Sequence, residues 1–266
     1  MKHMVRRYFS IWRAFFRNSL SRDMEFKMNF IFDLFIDAIF YGSYLFFFGV
    51  IFSYVDALGD FNRDAVIIFL LVTYLTDTVY VFVLGGNVFN INRMVIRGDL
   101  DLILVKPMNP QFFMSFRYVH AYALVSLGIL LFFLVKMVVA YHGQFHAVNF
   151  IFFFASFIMG ISIIYSFEFI IACLVFWFRN FSVAGWLCNE VIKYSRRPDS
   201  IYRGWFRTLV FSFLPMAMIS SLPARMLIFG PDIKILLFQA LVSGLFLWIT
   251  TLVWKRGLVR YESASS

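Results

Sequence analysis

Apolar residues along this chain fall into long runs that are separated by short polar segments. A helix needs about 20 apolar residues to cross a bilayer core of about 30 Å. Because backbone groups in lipid must be hydrogen-bonded within the protein, runs of this length are expected to be helical. The pattern therefore predicts an all-α integral membrane protein with about six transmembrane helices. The predicted spans are residues 28–53, 64–89, 118–141, 149–178, 206–221 and 233–254.

Residues 1–27, ahead of the first span, are predicted to form a cytoplasmic or interfacial amphipathic segment. On a helical wheel of residues 5–20, arginines cluster on one face and aromatic residues occupy the other. That arrangement is typical of a helix that lies in the membrane–water interface. The alternative is a plain cytosolic extension of the first span.

The fifth predicted span is irregular, because Pro215 and Pro223 interrupt its apolar run. Proline lacks a backbone donor and breaks or kinks a helix. Two alternatives stay open at this point. Either the span ends early and a re-entrant or interfacial piece follows on the outer side, or a single kinked helix leads to an ordinary loop.

Composition supports the membrane class, since 62% of the residues are hydrophobic and 15% are charged, against about 45–50% and about 25% in soluble domains. The 24 Lys and Arg residues concentrate before the first span, after the second and fourth spans, and in the tail. Because cytoplasmic loops carry the excess of basic residues, both termini are predicted to be cytoplasmic. The net charge of +9 therefore indicates topology and an attraction to anionic lipid headgroups, not nucleic-acid binding.

Residues 28–257 are predicted to form one transmembrane domain, and residues 258–266 a cytoplasmic tail that ends in disorder. The sequence shows no cleavable signal peptide, so the first span is expected to remain as an anchor. Cys173 and Cys188 offer no disulfide framework and are predicted to be reduced and structural.

The sequence lacks the motifs of several enzyme classes. It contains no Gly-x-x-x-x-Gly-Lys-Ser/Thr phosphate-binding loop, no His-Glu-x-x-His zinc motif and no Gly-x-Ser-x-Gly nucleophile elbow. His142 and His146 are spaced i, i+4, but two ligands favour a solvated loop over a metal site. The chain is therefore predicted not to be an enzyme, and any ATP hydrolysis is expected in a partner chain.

Charged residues inside the predicted spans are costly and often functional. They are Asp33, Asp37, Asp77, Lys136 and Glu168. Structural pairing or snorkelling to the interface is the expectation for Asp33, Asp37 and Lys136. Asp77 and Glu168 lie deeper, and either a polar translocation path or structural pairing accounts for them.

Residues 93–107, between the second and third spans, form a polar interruption with a patterned apolar content. The segment is too charged to lie in lipid, yet Ile, Leu and Val recur along it. A short, half-apolar segment at a membrane surface is suited to dock on another protein. The pattern is thus typical of a membrane subunit whose energy source is another protein.

Residues 98–112 closely resemble the signature of ABC-2 type transporter permeases, in the branch known as an uncharacterised ABC-2 family. The shared pattern is Gly-x-Leu-Asp, several apolar residues, a basic residue and Pro, and Phe113 and Arg117 complete it. Residues 213–215 and 222–224 also resemble the C-terminal half of the family. One departure is local, since relatives usually have a residue between the positions equivalent to Arg97 and Gly98.

The resemblance implies a pair of permease subunits, formed by this chain with itself or with a related chain, above two ABC ATPase subunits that bind Mg-ATP. Each permease would have six helices, an N-terminal interfacial helix and a short cytoplasmic coupling helix, here residues 93–107. This chain would itself bind no cofactor, and it would lie among the lipids of a bacterial plasma (inner) membrane. The predicted ATPase-coupling residues are Arg97, Gly98, Asp99, Leu100, Asp101, Ile103, Leu104 and Pro107.

Residue types within this segment suit a docking element. Leu100, Ile103 and Leu104 follow the i, i+3, i+4 spacing of an anchoring helix face. Asp99 and Asp101 can cap a helix or pair with basic residues of the ATPase, and the proline that follows ends the element. An ordinary loop between two spans is the alternative.

The sequence therefore predicts the transmembrane permease subunit of an ATP-driven transporter, and the resemblance favours export. Its 38 Phe residues and 21% aromatic content suit a hydrophobic or amphiphilic cargo, and they equally suit packing against lipid. The alternative is a self-contained secondary transporter or channel that uses Asp77 and Glu168, although no inverted repeat is evident. A membrane scaffold that transports nothing is a third interpretation.

Overall fold

The fold was analysed in a computed structural model, which describes residues 2–25, 27–142, 146–178, 181 and 183–261. The described residues are mostly helical and include one short hairpin. Two predictions lie outside the described residues, namely the disordered end of the tail at 262–266 and the basic residue Arg179. The domain boundaries 1–27, 28–257 and 258–266 stay predictions.

The secondary structure follows in chain order. The helices are α1 (Lys2–Glu25), α2 (Lys27–Ile51), α3 (Arg63–Leu84), α4 (Asn90–Arg97), α5 (Asp101–Leu104), α6 (Pro110–Phe116), α7 (Ala123–His142), α8 (Ala147–Cys173), α9 (Ala184–Ile192), α10 (Gly204–Thr208), α11 (Ala217–Ile228) and α12 (Ile233–Arg260). Strands β1 (Ala57–Leu58) and β2 (Phe61–Asn62) pair antiparallel between α2 and α3. Short 3₁₀ turns cover Leu174–Phe176, Lys193–Arg196 and Asp199–Ile201, and a π turn covers Leu209–Phe213.

Five helices among the described residues are long and apolar enough to cross a membrane. They cover Met28–Ile51, Arg63–Leu84, Ala123–His142, Ala147–Phe176 and Ile233–Arg260. Helix α3 is the central one, since most of its residues are buried against α7, α8 and α11. Helix α2 lies at the periphery and leaves most of its apolar side chains exposed. The prediction of an all-α membrane protein is confirmed, and these spans match all but the fifth predicted one.

The fifth predicted span, residues 206–221, is not a continuous helix. Helix α10 leads into the π turn, and the regular helix resumes only at Ala217. Pro215 lies in the break, where its missing N–H prevents a continuous helical hydrogen-bond ladder. The chain passes from one end of the bundle to the other earlier in the sequence, along α9 and the 3₁₀ turn that follows it.

Contacts at both ends of this earlier segment show that it crosses the bundle. At one end, the Asn92 side-chain amide donates to the Phe181 carbonyl oxygen at 2.9 Å. At the other end, the Ser200 hydroxyl donates to the Leu58 carbonyl oxygen of the hairpin at 2.8 Å. Residues 199–207 therefore lie towards the hairpin end, whereas Arg196 lies deeper in the bundle beside Asp77. The prediction that Arg203 and Arg207 face the same side as residues 93–107 is wrong, because the chain passes through the bundle along α9, a helix of 9 residues that is too short to count as a span.

Helix α11 is re-entrant. Its first turn lies in the middle of the bundle, where Met218 and Ile219 pack in a cluster with Ile164 of α8. Its last turn lies at the hairpin end, where Arg225 pairs with Asp60 at 3.1 Å. Residues 204–228 thus enter from the hairpin end and return to it. A re-entrant piece is present, as in the first alternative, but the apolar run before it does not cross the bundle as that alternative required.

Both described ends of the chain lie at the end of the bundle opposite the hairpin. The Arg7 guanidinium donates to the Pro107 carbonyl oxygen at 2.5 Å, which ties α1 to the segment 93–107. At the other terminus, the Tyr261 ring packs against Phe176 with their centroids 6.2 Å apart. Helix α1 ends at Glu25 and α2 begins at Lys27, and the position of α1 in the membrane interface stays a prediction.

Candidate coupling surface and intramembrane polar sites

The segment 93–107 folds as two short helical pieces around a tight turn. Helix α4 ends at Arg97, and Gly98 follows with φ 76°, a left-handed conformation that glycine adopts without strain. Helix α5 then forms a single turn, and Pro107 prevents its extension. Asn109 restarts the chain as α6 by accepting a hydrogen bond from the Phe112 N–H at 3.2 Å.

One face of this segment is buried inside its own subunit. Leu100 is fully buried and Ile103 is 3% exposed. Both belong to a cluster that also contains Phe113, Phe169 and Trp254. The i, i+3 spacing therefore identifies the face that fixes the segment to the transmembrane helices. The prediction that Leu100 and Ile103 form a face for the partner is wrong, because spacing shows which residues share a face and not where that face points.

The opposite face presents apolar side chains to the surroundings. Leu102 is 67% exposed and Val105 is 81% exposed, and Ile96 and Leu104 are also exposed. Of the predicted anchoring residues, only Leu104 belongs to this face. These side chains lie at the end of the bundle beside exposed charged residues, not in the middle of a span. They form what we call the coupling surface, residues Ile96, Leu102, Leu104 and Val105.

The two aspartates do not cap α5, since the residue at its N-cap is Leu100 and makes no side-chain cap hydrogen bond. Asp101 lies in the first turn of the helix, where the helix dipole favours a negative charge. Burial raises the pKa of the Tyr261 phenol, and the nearby charges of Asp101 and Asp99 raise it further. The phenol therefore stays protonated at neutral pH, and its place near Asp101 brings the end of α12 close to α5.

Helix α1 contacts the far end of the coupling segment, a relationship that the sequence did not predict. The Tyr8 hydroxyl accepts a hydrogen bond from the Asn109 N–H at 3.1 Å. The Phe15 ring meets the edge of Phe113 with their centroids 5.6 Å apart. The aromatic face of α1 was the sequence feature that could have indicated this contact. Part of that face packs on α6, and part of it faces outward.

Asp77 and Glu168 each have a polar partner within the bundle. The Arg196 Nε atom lies 3.0 Å from the Asp77 carboxylate, and its guanidinium carbon lies 5.0 Å from the centroid of the Phe40 ring. The Tyr80 hydroxyl donates to the Glu168 carboxylate. The sequence could not supply Arg196 as a partner, because the residue was assigned to a loop outside the membrane.

Structural pairing or snorkelling was the expectation for Asp33, Asp37 and Lys136, and the structure agrees with it in part. The Ser126 hydroxyl donates to the Asp37 carboxylate at 3.2 Å. Asp33 is partly buried near His120. Lys136 lies on an exposed face of α7 and makes no ion pair with any described residue. Its place near the hairpin end of the helix fits snorkelling of the ammonium group towards the interface.

A cavity of about 550 Å³ opens between α2 and residues 193–201. Its apolar wall comes mainly from Tyr44, Phe47, Phe48 and Ile51 of α2. Lys193 and Arg197 line the opposite side. Lys193 also pairs with Glu190 at 2.5 Å, whereas Arg197 makes no ion pair with any described residue. The cavity therefore combines a long apolar wall with a basic edge.

In the part of the chain that the structure describes, no three His, Cys, Asp or Glu residues cluster closely enough to hold a metal ion. A ring nitrogen of His142 is 2.6 Å from the Leu227 carbonyl oxygen, so this histidine is tied to α11. Cys173 and Cys188 are free and buried. Cys188 belongs to the core cluster of Tyr80.

Comparison with known proteins gives one match. A family model described as an ABC-2 family transporter protein matches residues 38–265, which is most of the chain. No curated protein and no solved structure matches it.

Proposed function

The chain belongs to the ABC-2 transporter family, and from this premise we propose that its coupling surface receives motion from a partner ATPase and passes it to the transmembrane helices. Membership of the family implies the permease part of an ABC transporter and association with ATPase subunits. The sequence holds no phosphate-binding loop, so Mg-ATP is hydrolysed by the partner.

The observation that carries this proposal is the two-faced character of the coupling segment. Leu100 and Ile103 anchor it in a packed cluster, while Leu102 and Val105 project outward without cover. Packed interiors have low compressibility and transmit displacement instead of absorbing it. A push on Leu102 would therefore move α8 and α12, whose residues Phe169 and Trp254 share that cluster.

The assembly that suits this arrangement has two permease subunits above two ATPase subunits. The coupling surface faces the cytoplasm of a bacterial inner membrane, together with both termini. Basic side chains of α1 support this orientation, because cytoplasmic segments carry the excess of Lys and Arg. The second permease is a copy of this chain or a related one.

The cargo is an amphiphile with an acidic end, and the direction is export. The cavity beside α2 supports this class, since its aromatic wall suits a hydrocarbon chain and its basic edge suits an anion. In this account, ATP binding draws the ATPases together, and the displaced helices release the cargo from the cavity to the outer side.

A self-contained secondary transporter would need ionisable groups that are free to exchange protons or ions. Asp77 is paired with Arg196 and Glu168 with Tyr80, and this pairing favours a structural role for both acids. No observation on the described residues favours the scaffold interpretation. The ATP-driven permease is therefore the one function that we propose.

Affinity purification of the chain from its native membrane tests the proposal. We expect a stoichiometric partner that carries a Gly-x-x-x-x-Gly-Lys-Ser/Thr loop, identified by mass spectrometry. Recovery of a second, different permease would define a heterodimer. Repeated isolation of this chain alone in gentle detergents, with gradient-driven flux after reconstitution, would overturn the proposal.

A further inference from the structure

A second cavity, of about 420 Å³, lies between α1 and α6 at the coupling end of the bundle. Its wall includes three basic side chains, Arg22, Lys106 and Arg117, and the aromatic residues Phe113 and Tyr118. We propose that this cavity binds the phosphate headgroup of an anionic phospholipid. This cavity is separate from the one beside α2, so the proposed lipid site is independent of the molecule that the chain transports.

The two rings bring the three cations together. The Lys106 ammonium lies 4.3 Å from the centroid of the Phe113 ring. The Arg117 guanidinium carbon lies 5.1 Å from the centroids of both Phe113 and Tyr118, and that of Arg22 lies 5.4 Å from Tyr118. An aromatic face attracts a cation but carries no net charge, so the positive charge around the cavity is not neutralised by the rings.

Acidic residues neutralise little of this charge. Arg22 pairs with its neighbour Asp23 at 3.3 Å, and the second oxygen of that carboxylate accepts a hydrogen bond from the Ala121 N–H. Lys106 and Arg117 form no ion pair with any residue that the structure describes. The cavity therefore has an excess of two positive charges, which is suited to a phosphate group with its several acceptor oxygens.

The position of the cavity favours a lipid as the source of that phosphate. Arg22 lies shortly before α2 begins and Tyr118 shortly before α7 begins, so the cavity is level with the ends of two spans. Basic pockets between helices at this depth suit phospholipid headgroups. Phe15 contributes an apolar wall along which an acyl chain can lie.

A lipid bound here would join two elements that matter for coupling. Arg22 belongs to α1, and Lys106 belongs to the segment that carries the coupling surface. A shared phosphate would add to the Arg7–Pro107 hydrogen bond and hold α1 against that segment. Anionic lipid is then a ligand with a defined site, not only a diffuse attraction for basic side chains.

The test counts lipids that stay bound to the purified full-length chain in native mass spectrometry, after exchange into detergent with phosphatidylglycerol or phosphatidylcholine. We expect tight retention of phosphatidylglycerol only. The double variant Lys106→Gln/Arg117→Gln is expected to weaken this binding about 25-fold, from about fivefold for each cation removed. The matched control Lys255→Gln/Arg256→Gln removes two exposed charges from the same end and should leave the affinity unchanged.

Two further measurements test the proposal if the double variant does not fold. The charge-preserving variant Lys106→Arg/Arg117→Lys is expected to retain phosphatidylglycerol, and on the unmodified chain retention should fall as salt is raised. Equal retention of both lipids by the unmodified chain would overturn the proposal. So would competition by millimolar inorganic phosphate that matches the lipid, because the site would then belong to a soluble anion.

Discussion

The pair formed by Asp77 and Arg196 is the clearest case of a residue whose role depends on its partner. The two side chains meet at 3.0 Å, although 119 positions separate them along the chain. An intramembrane carboxylate without this guanidinium would be a candidate for ion or proton binding. Beside it, the carboxylate mainly offsets the cost of placing Arg196 among apolar side chains.

Removing one member of this pair should cost more than removing both. We expect Asp77→Ala to lower the free energy of unfolding by about 3–5 kcal/mol, because it leaves Arg196 unpaired. The double variant Asp77→Ala/Arg196→Met should recover most of that loss. Thermal unfolding in one detergent measures both, and strictly additive effects would show that the two side chains are not coupled.

At this scale the sequence predicts residue types and spacing, but not partners. It identified Asp77 and Glu168 as unusual because charge in an apolar run is rare, and the structure shows what each one contacts. It also grouped Leu100 with Ile103 correctly. The direction of that face followed only from the positions of Phe169 and Trp254, which lie in helices distant in the sequence.

At the scale of elements, the contact between α8 and α11 holds the re-entrant segment in place. Gly160 allows it, because a Cβ atom at this position would lie 2.5 Å from the Ile219 carbonyl oxygen. That oxygen belongs to the backbone and cannot rotate away as a side chain can. The two helices can approach this closely only while residue 160 has no side chain.

The variant Gly160→Ala is therefore expected to push α11 away from α8 and to lower stability by about 1–3 kcal/mol. Gly244→Ala in α12 is the matched control, since a Cβ atom there meets nothing within 4 Å. Melting temperatures of the purified proteins compare the two. Equal melting temperatures would contradict the close α8–α11 contact.

Element length explains which spans could be predicted. The long apolar runs of α2, α3, α7, α8 and α12 reach or exceed the length that a membrane crossing needs, so hydropathy alone locates them. The segment at residues 184–196, which carries the chain through the bundle, is short and contains Lys193 and Arg196. Its polar side chains are tolerated because the bundle supplies partners such as Asp77, and a hydropathy pattern contains no information about such partners.

The molecule has two distinct ends, the hairpin end and the end that carries the coupling surface. The structure predicts which residues lie at each end and therefore on the same side of the membrane. Arg203 follows the contact between Ser200 and Leu58, so it should face the same side as Tyr54 in the turn after α2. Leu102 should face the other side. The basic character of residues 193–207 had favoured the opposite assignment of Arg203.

Labelling of single cysteines with a membrane-impermeant maleimide on intact cells distinguishes the two assignments. The native thiols are buried, so the introduced cysteine dominates the signal. We expect Tyr54→Cys and Arg203→Cys to react on intact cells, and Leu102→Cys only after the membrane is opened. Reaction of Arg203→Cys together with Leu102→Cys would contradict the crossing at residues 184–196.

The central claim is that the exposed face of the coupling segment binds the ATPase, and Leu102 tests it most directly. Leu102 is 67% exposed, so Leu102→Arg should fold, whereas a charge at the buried Leu100 would disrupt the core. The matched control is Tyr54→Arg, at a residue 84% exposed near the hairpin. The measurement is the amount of ATPase that copurifies with each variant.

The account predicts that Leu102→Arg retains less than about one-tenth of the ATPase that the unmodified chain retains, because a charge replaces an apolar contact within a buried interface. Tyr54→Arg should retain the full amount, and both variants should show the melting temperature of the unmodified chain. Full retention of the ATPase by a folded Leu102→Arg variant would contradict the coupling role of this surface.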